Sequence, residues 1–227
     1  MKPRYYLQCL FLLSLIFLYG CADQAGKAAD FGRTKSQRQP QLSPYAAPPN
    51  VTANFAGTYN GTTFNGTFVN SSWIGNFTNV TWRGVFNDSI FNGTFINSTW
   101  SGNFTNANWT GLFNNTLFNG TFINSAWQGN FTNATFNGTF NHSLFNGAFL
   151  NSTFIGNFSL VNFTGRYNYT LFNGTFLNST FRGNFTNSTF NGTFNYSKFA
   201  GNFSGSLFNG TFWNSSMNRN ASFFNSS

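Results

Sequence analysis

The sequence predicts an all-β fold, a three-sided β-helix (solenoid) with about 27 residues per coil, and three observations carry that expectation. A nine-residue unit, aromatic-x-Gly-x-aromatic followed by four polar or small residues, repeats eighteen times without a break across residues 55–216. Within each unit the two rings and the glycine fall at alternate positions, the spacing that sets them on one face of a strand. Three kinds of unit, distinguished by their corners, recur in fixed order from Phe64 to Lys198, so that every third unit is alike.

In Phe91-Asn92-Gly93-Thr94-Phe95 the rings and glycine face one way while Asn92 and Thr94 face the other. Ile96-Asn97-Ser98-Thr99 then carries corner chemistry, because Asn and Ser side chains bond nearby backbone and Asn tolerates left-handed dihedrals. One unit is therefore a short strand and a turn. Self-similar units bury their apolar faces against one another, as in repeat architectures. A triangular coil of three units would stack each kind upon itself, with six rings per layer inside, glycine making room for rings from the other two sides, and Asn, Thr and Ser outside. The alternative is an antiparallel β meander of nine-residue strand-turn units. Phe199 to Leu207 departs from the order of unit kinds, and Met217 and Arg219 replace ring and glycine, which marks residues 51–227 as a solenoid with a polar C-terminal cap.

Of the 227 residues, 6% are charged and 21% are aromatic, whereas disordered chains combine few aromatics with high net charge. The formal charge of +8 is concentrated before the repeats, at Lys2, Arg4, Lys27, Arg33, Lys35 and Arg38. Across residues 51–227 only Arg83, Arg166, Arg182, Lys198 and Arg219 oppose Asp88, and along the sequence they are isolated. A nucleic-acid groove needs clustered cations, so nucleic acid is not an expected partner.

Residues 1–20 read as an export signal: Lys2 and Arg4 precede an apolar run that ends at Leu18, shorter than the roughly 20 residues needed to span a bilayer. Leu18-Tyr19-Gly20-Cys21 resembles the lipobox of bacterial lipoproteins. The resemblance implies cleavage before Cys21, a diacylglycerol on its thiol and, usually, an acyl chain such as palmitate on the new amino group. Ala22 stands where an inner-membrane retention signal would carry Asp, which by the same resemblance favours the outer membrane or cell surface. Cys9 would leave with the signal and Cys21 would carry lipid, so neither a disulfide nor a cysteine metal site is expected. Residues 21–50, with prolines from Pro40 onward, read as a lipidated, disordered tether.

General acid-base work needs paired groups within reach, and the mature chain would offer Asp23, Asp30, Asp88 and His142. His142, in the corner Asn141-His142-Ser143-Leu144, reads as a solvated turn residue. No metal-ligand spacing, phosphate loop or nucleophile elbow appears. The expectation is a non-enzyme with no catalytic residue, cofactor or metal. The many Asn-x-Ser/Thr triplets follow from fixed repeat positions rather than from glycosylation.

The candidate ligand face is the outward Asn-x-Thr pairs Asn65/Thr67, Asn92/Thr94, Asn119/Thr121 and Asn173/Thr175, expected to form two straight files with Ala148 replacing Thr once. The functional expectation is a lipid-anchored cell-surface structural or adhesion protein that displays an Asn/Thr-rich rod, similar in architecture to bacterial β-helical adhesins. Its partners would be the membrane, through the anchor, and a polysaccharide or surface protein. Two alternatives are a glycan-binding module and a self-assembling functional amyloid or matrix protein. The Phe-x-Gly-x-Phe core also resembles the aromatic-Gly-aromatic part of membrane occupation and recognition nexus repeats, whose second glycine-rich strand is absent here, so no function is carried over.

Overall fold

Most units form one seven-residue strand and one corner, the last two being split into shorter strands, but strands pair with the strand two units away rather than with their sequence neighbours. The computed structural model describes residues 29–31, 52–217 and 222–224. Thr135–Asn141, for example, pairs in parallel with Leu117–Ile123 on one side and Thr153–Ser159 on the other, ring on ring and glycine on glycine. Alternate units therefore go to alternate sheets, one of 13 strands and one of 10. The result is an all-β parallel solenoid of about nine turns spaced about 18 residues apart, with two sheets as its walls.

The parallel pairing excludes the meander. It also corrects the coil: the circuit is made of two units and has two sides, not three units and three sides. The physical reason lies in which positions must match. Rings, glycine and the corner core residue follow the single-unit period everywhere, so they stack equally well for any whole number of units per turn. The three-unit superperiod resides largely in outward residues, whose stacking on unlike neighbours costs little in water. Like units consequently meet only at every third rung of one sheet.

Inside, the first and fifth positions of the units build four columns of rings, two per sheet. In the first sheet Phe91, Trp109, Trp127 and Phe145 stack nearly parallel, with centroids 5.2, 4.7 and 4.4 Å apart. Contacts across the core are edge-to-face: Trp127 meets Phe118 and Phe136 at interplanar angles of 88° and 87°. Offset stacking and T-shaped contact are the two arrangements that a ring's quadrupole favours, each adding about 0.5–1.5 kcal/mol beyond burial. Four rings per turn fill the space between two sheets about 10 Å apart. Five indole N–H groups, of Trp73, Trp82, Trp100, Trp109 and Trp127, are buried without an acceptor. Such a donor costs about 1–3 kcal/mol, which the larger ring area offsets.

The glycine has a different role from the one the triangular coil gave it. Gly129 has φ 131°, a conformation closed to side-chain-bearing residues, and a Cβ built on it would overlap the carbonyl oxygen of Gly111 in the neighbouring rung. The missing side chain thus lets adjacent turns approach each other; it does not make room for rings.

The corners reverse the chain with one left-handed residue followed by one small buried residue. Asn97, Asn115 and Asn133 hold φ of 50°, 52° and 53°, and His142, Leu160, Tyr169 and Tyr196 adopt the same conformation. The residue after each is buried and small, as at Ser98, Ala107, Thr116, Ser125 and Val161. The Ser hydroxyls therefore lie inside, contrary to the expected polar exterior. Ser125 Oγ donates to Ile123 O at 3.0 Å and accepts from Ala107 N of the previous rung at 3.4 Å. Backbone pairing continues through the corner, with Asn115 N donating to Thr132 O and Thr135 N to Thr116 O.

At the ends, Ala29–Phe31, which composition placed in the tether, pairs with Ala53, Asn54 and Phe55, Phe31 lying opposite Phe55. The irregular unit at Phe199 keeps its register, Lys198 opposite Thr180 and Asn202 opposite Asn184, so the coil does not slip there. Ser216–Met217 and Ser222–Phe224 close the first sheet. The expected signal peptide and Cys21 lie outside the described residues.

Gly129→Ala is expected to cost about 3 kcal/mol or more, since the glycine-only conformation alone accounts for about 1–3 kcal/mol, while Gln128→Ala on the outer face changes stability by about 0.5 kcal/mol or less. Urea unfolding of the two variants checks this. Tyr167, fully buried, donates its phenol proton to Phe145 O at 2.8 Å, and burial raises its pKa well above the usual phenol range. In the unfolded chain this phenol ionises near pH 10 while the folded one keeps its proton, so stability is present below that pH and falls as pH rises above it. Tyr167→Phe should flatten that alkaline fall, measured as unfolding free energy against pH.

Candidate ligand face

Strand alternation puts the second and fourth residues of every unit on the outside, one either side of the glycine. Register then divides the expected face between the two walls. Asn65/Thr67, Asn119/Thr121 and Asn173/Thr175 lie on the second sheet, on Thr63–Val69, Leu117–Ile123 and Leu171–Leu177. Asn92/Thr94 lies on the first sheet, on Ile90–Ile96. The two straight files expected from the sequence do not form from these eight residues, because a three-unit step on a two-unit coil moves to the opposite wall.

Two further corrections concern the threonines. Thr67, expected to stand in file with Thr94, lies on the terminal rung of the second sheet, where among the described residues its one rung neighbour is Val85. Thr67, Thr94 and Thr121 are half-buried, whereas Thr175 and the asparagines Asn65, Asn92, Asn119 and Asn173 are exposed. A threonine side chain is shorter than an asparagine one, so beside the glycine it lies closer to the backbone of its own sheet. The amides are thus the outermost groups of each pair.

What the second sheet does assemble is pairs that the superperiod did not group. Asn137 and Thr139 lie directly beside Asn119 and Thr121, and Asn191 and Thr193 beside Asn173 and Thr175. Ile155/Asn157 separates these two doublets, and Arg83/Val85 with Ser101/Asn103 separates Asn65/Thr67 from the first. Asn209 and Thr211 continue the second patch beside Asn191 and Thr193, so the wall carries one patch of two Asn-x-Thr rungs and one of three, with rungs about 4.8 Å apart. On the first sheet Asn92/Thr94 stands between Ile74/Asn76 and Thr110/Leu112, and Asn146/Ala148 is the substituted pair. Leu112 is 51% exposed, so this wall is the more apolar at its centre.

Hydrogen bonding differs between the corners and the second wall. At one corner Asn115 Nδ2 donates to Asn97 Oδ1 at 3.3 Å and Asn133 Nδ2 to Asn115 Oδ1 at 3.0 Å. At the other, Asn106 Nδ2 donates to Asp88 Oδ1 at 2.9 Å. Among the described residues no hydrogen bond joins the side chains of Asn119, Thr121, Asn137 and Thr139 to one another or to the rest of the chain. Amide bonding thus runs along the corners and joins one pair on the first wall, where Asn202 Nδ2 donates to Asn184 Oδ1 at 3.2 Å, while the second wall presents amides and hydroxyls to its surroundings. His142 occupies an exposed corner position with φ 50°. Asp88 lies at the same series of corners, three turns earlier in the chain.

The buried Ser file and the Asn137 and Asn191 pairs were missed by sequence reasoning. A signal for the first was present: the eighth residue of each complete unit is never larger than Val or Thr. The second needed the coil length.

Neither the family models, the curated proteins nor the solved structures give a match to this chain.

The wall register has a direct test. Carboxylates directly opposed on neighbouring strands repel, so Asn119→Asp combined with Asn137→Asp should show a destabilising coupling of up to about 1 kcal/mol near neutral pH. The coupling should vanish once both carboxyls are protonated, below about pH 3. Asn119→Asp with Asn146→Asp, on opposite walls, should be additive in the same denaturation experiment.

Proposed function

We propose that this chain is a lipid-anchored protein of the bacterial outer membrane or cell surface, whose rod serves a structural or adhesive role. The observation that carries the reading is the run Leu18-Tyr19-Gly20-Cys21 at the end of an apolar leader. Acyl chains on Cys21 would supply the anchor, each buried methylene contributing about 0.8 kcal/mol. Residues between Cys21 and Ala53 would connect it to the solenoid. Two features of the rod suit display. Its stability is shared among repeating contacts with nearest neighbours, and the amides and hydroxyls of Asn119, Thr121, Asn137 and Thr139 on the second wall are not consumed by internal bonds. A surface polysaccharide or protein is the partner class that such a polar wall would meet.

Mass spectrometry of the amino terminus of protein recovered from bacterial membranes tests this reading. The expected species begins at Cys21 and carries lipid on that residue. A mature chain that begins elsewhere, or one with a free Cys21 thiol, would overturn the anchor. For the adhesive role, cells displaying the chain should adhere to polysaccharide-coated or protein-coated surfaces at least threefold more than cells lacking it, and equal adherence would count against that role.

A further inference from the structure

Arg166, Arg182 and Lys198 recur at a constant interval, two positions short of the one-turn step that joins Thr164 to Arg182 and Arg166 to Asn184. Each successive cation therefore advances one rung along the first sheet and steps back two positions across it. Arg182 lies opposite Thr164, Arg166 opposite Asn184, and Lys198 opposite Thr180. A two-position step preserves the face of a strand, so all three project from the same wall, and all three are exposed. With rungs about 4.8 Å apart and two residues spanning about 6.6 Å, the diagonal interval between their backbone positions is about 8 Å. Cations that look scattered along the chain are one oblique row on the folded rod.

The chemistry around that row is one-sided. Asp88, the acidic residue of residues 52–217, belongs to a corner many rungs away and is bonded to Asn106. Asp30 belongs to the strand at the opposite end of the sheet. Beyond Arg166 the row runs into a shallow depression lined by Asn130, Asn146, Ala148 and Arg166, floored by Gly147 and Gly165. The depression exists because Ala148 is the smallest residue in its outward file, between Asn130 and Arg166.

We propose that this oblique row and the depression it enters bind a linear acidic polysaccharide, with the three cations meeting its carboxylates and Asn130 and Asn146 bonding its sugar hydroxyls. The wall argues against a nucleic-acid strand. Single-strand binders stack bases on aromatic side chains, and the rings on these strands, Phe163, Tyr167, Phe181 and Phe185, are buried, the exposed Tyr169 and Tyr196 standing at the corners and not on the wall. A duplex also carries a phosphate about every 3.4 Å per strand, denser than a row at about 8 Å. The inference concerns the first wall and goes beyond the proposed anchoring, on which it does not depend.

Affinity electrophoresis of the full chain in non-ionic detergent, through gels containing polygalacturonate or neutral dextran, tests the proposal. The chain should be retarded by polygalacturonate, in a salt-sensitive manner, and not by dextran. Replacing Arg166, Arg182 and Lys198 together by Gln should weaken retention tenfold or more. Replacing Lys35, Arg38 and Arg83 by Gln removes the same formal charge and should weaken it less than threefold. Both variants alter exposed or tether residues, and an unchanged thermal transition verifies their fold. Equal losses in the two variants, absence of retention, or equal retention by dextran would overturn the proposal, as would preference for single-stranded DNA.

Discussion

Every inner group of this rod must meet its own counterpart one turn later, and that constraint organises the rest of the structure. Rings stack on rings in columns, as between Phe172 and Phe190 at 4.8 Å, while glycine lies on glycine between them. The two requirements are linked. Rungs can approach to the ordinary strand spacing only where no Cβ intervenes, and at that spacing aromatic faces in successive turns come into contact. A side chain at the glycine position would separate the rungs, lengthen the backbone hydrogen bonds and open every ring column at once. Corners obey the same rule, since their small residues stack inside and their Asn residues hold the left-handed conformation turn after turn.

Because matching is demanded only inside, the outside is free to vary. That freedom lets one coil carry two unlike walls. The second sheet collects Asn-x-Thr rungs in a doublet and a triplet separated by Ile155/Asn157, with their amides and hydroxyls unpaired by the chain. The first sheet carries Leu112, the depression at Ala148 and the oblique row of cations. The two surfaces are thus chemically distinct although the units that build them share one core pattern.

The inner half of the fold was legible in the sequence. Rings and glycine at alternate positions named the strands, and Asn at the seventh position of most units named the left-handed corner. The number of units per turn was not legible, because inner residues repeat identically and fit a coil of two units or of three. The superperiod, which invited three, resides mostly in residues facing water and so does not constrain stacking. From that one ambiguity the other departures follow. Asn92 and Thr94 were expected in line with pairs such as Asn65/Thr67 and lie on the opposite wall; Asn137 was not grouped with Asn119 and lies beside it. Arg166, Arg182 and Lys198 looked isolated because their interval acquires meaning only against a turn of two units. The burial of the corner Ser residues was readable from the size limit at that position, but their turn-forming character pointed to the surface instead.

The length of the turn is the claim on which both walls rest, and paired spin labels measure it directly. In a chain with Cys9 and Cys21 replaced by Ser, labels on cysteines introduced at positions 119 and 137 occupy neighbouring rungs about 4.8 Å apart and should show strong dipolar broadening. Labels at positions 119 and 146 project outward from opposite walls and should show little. The reverse pattern, with 119 and 146 close and 119 and 137 apart, would restore a triangular coil and contradict the account.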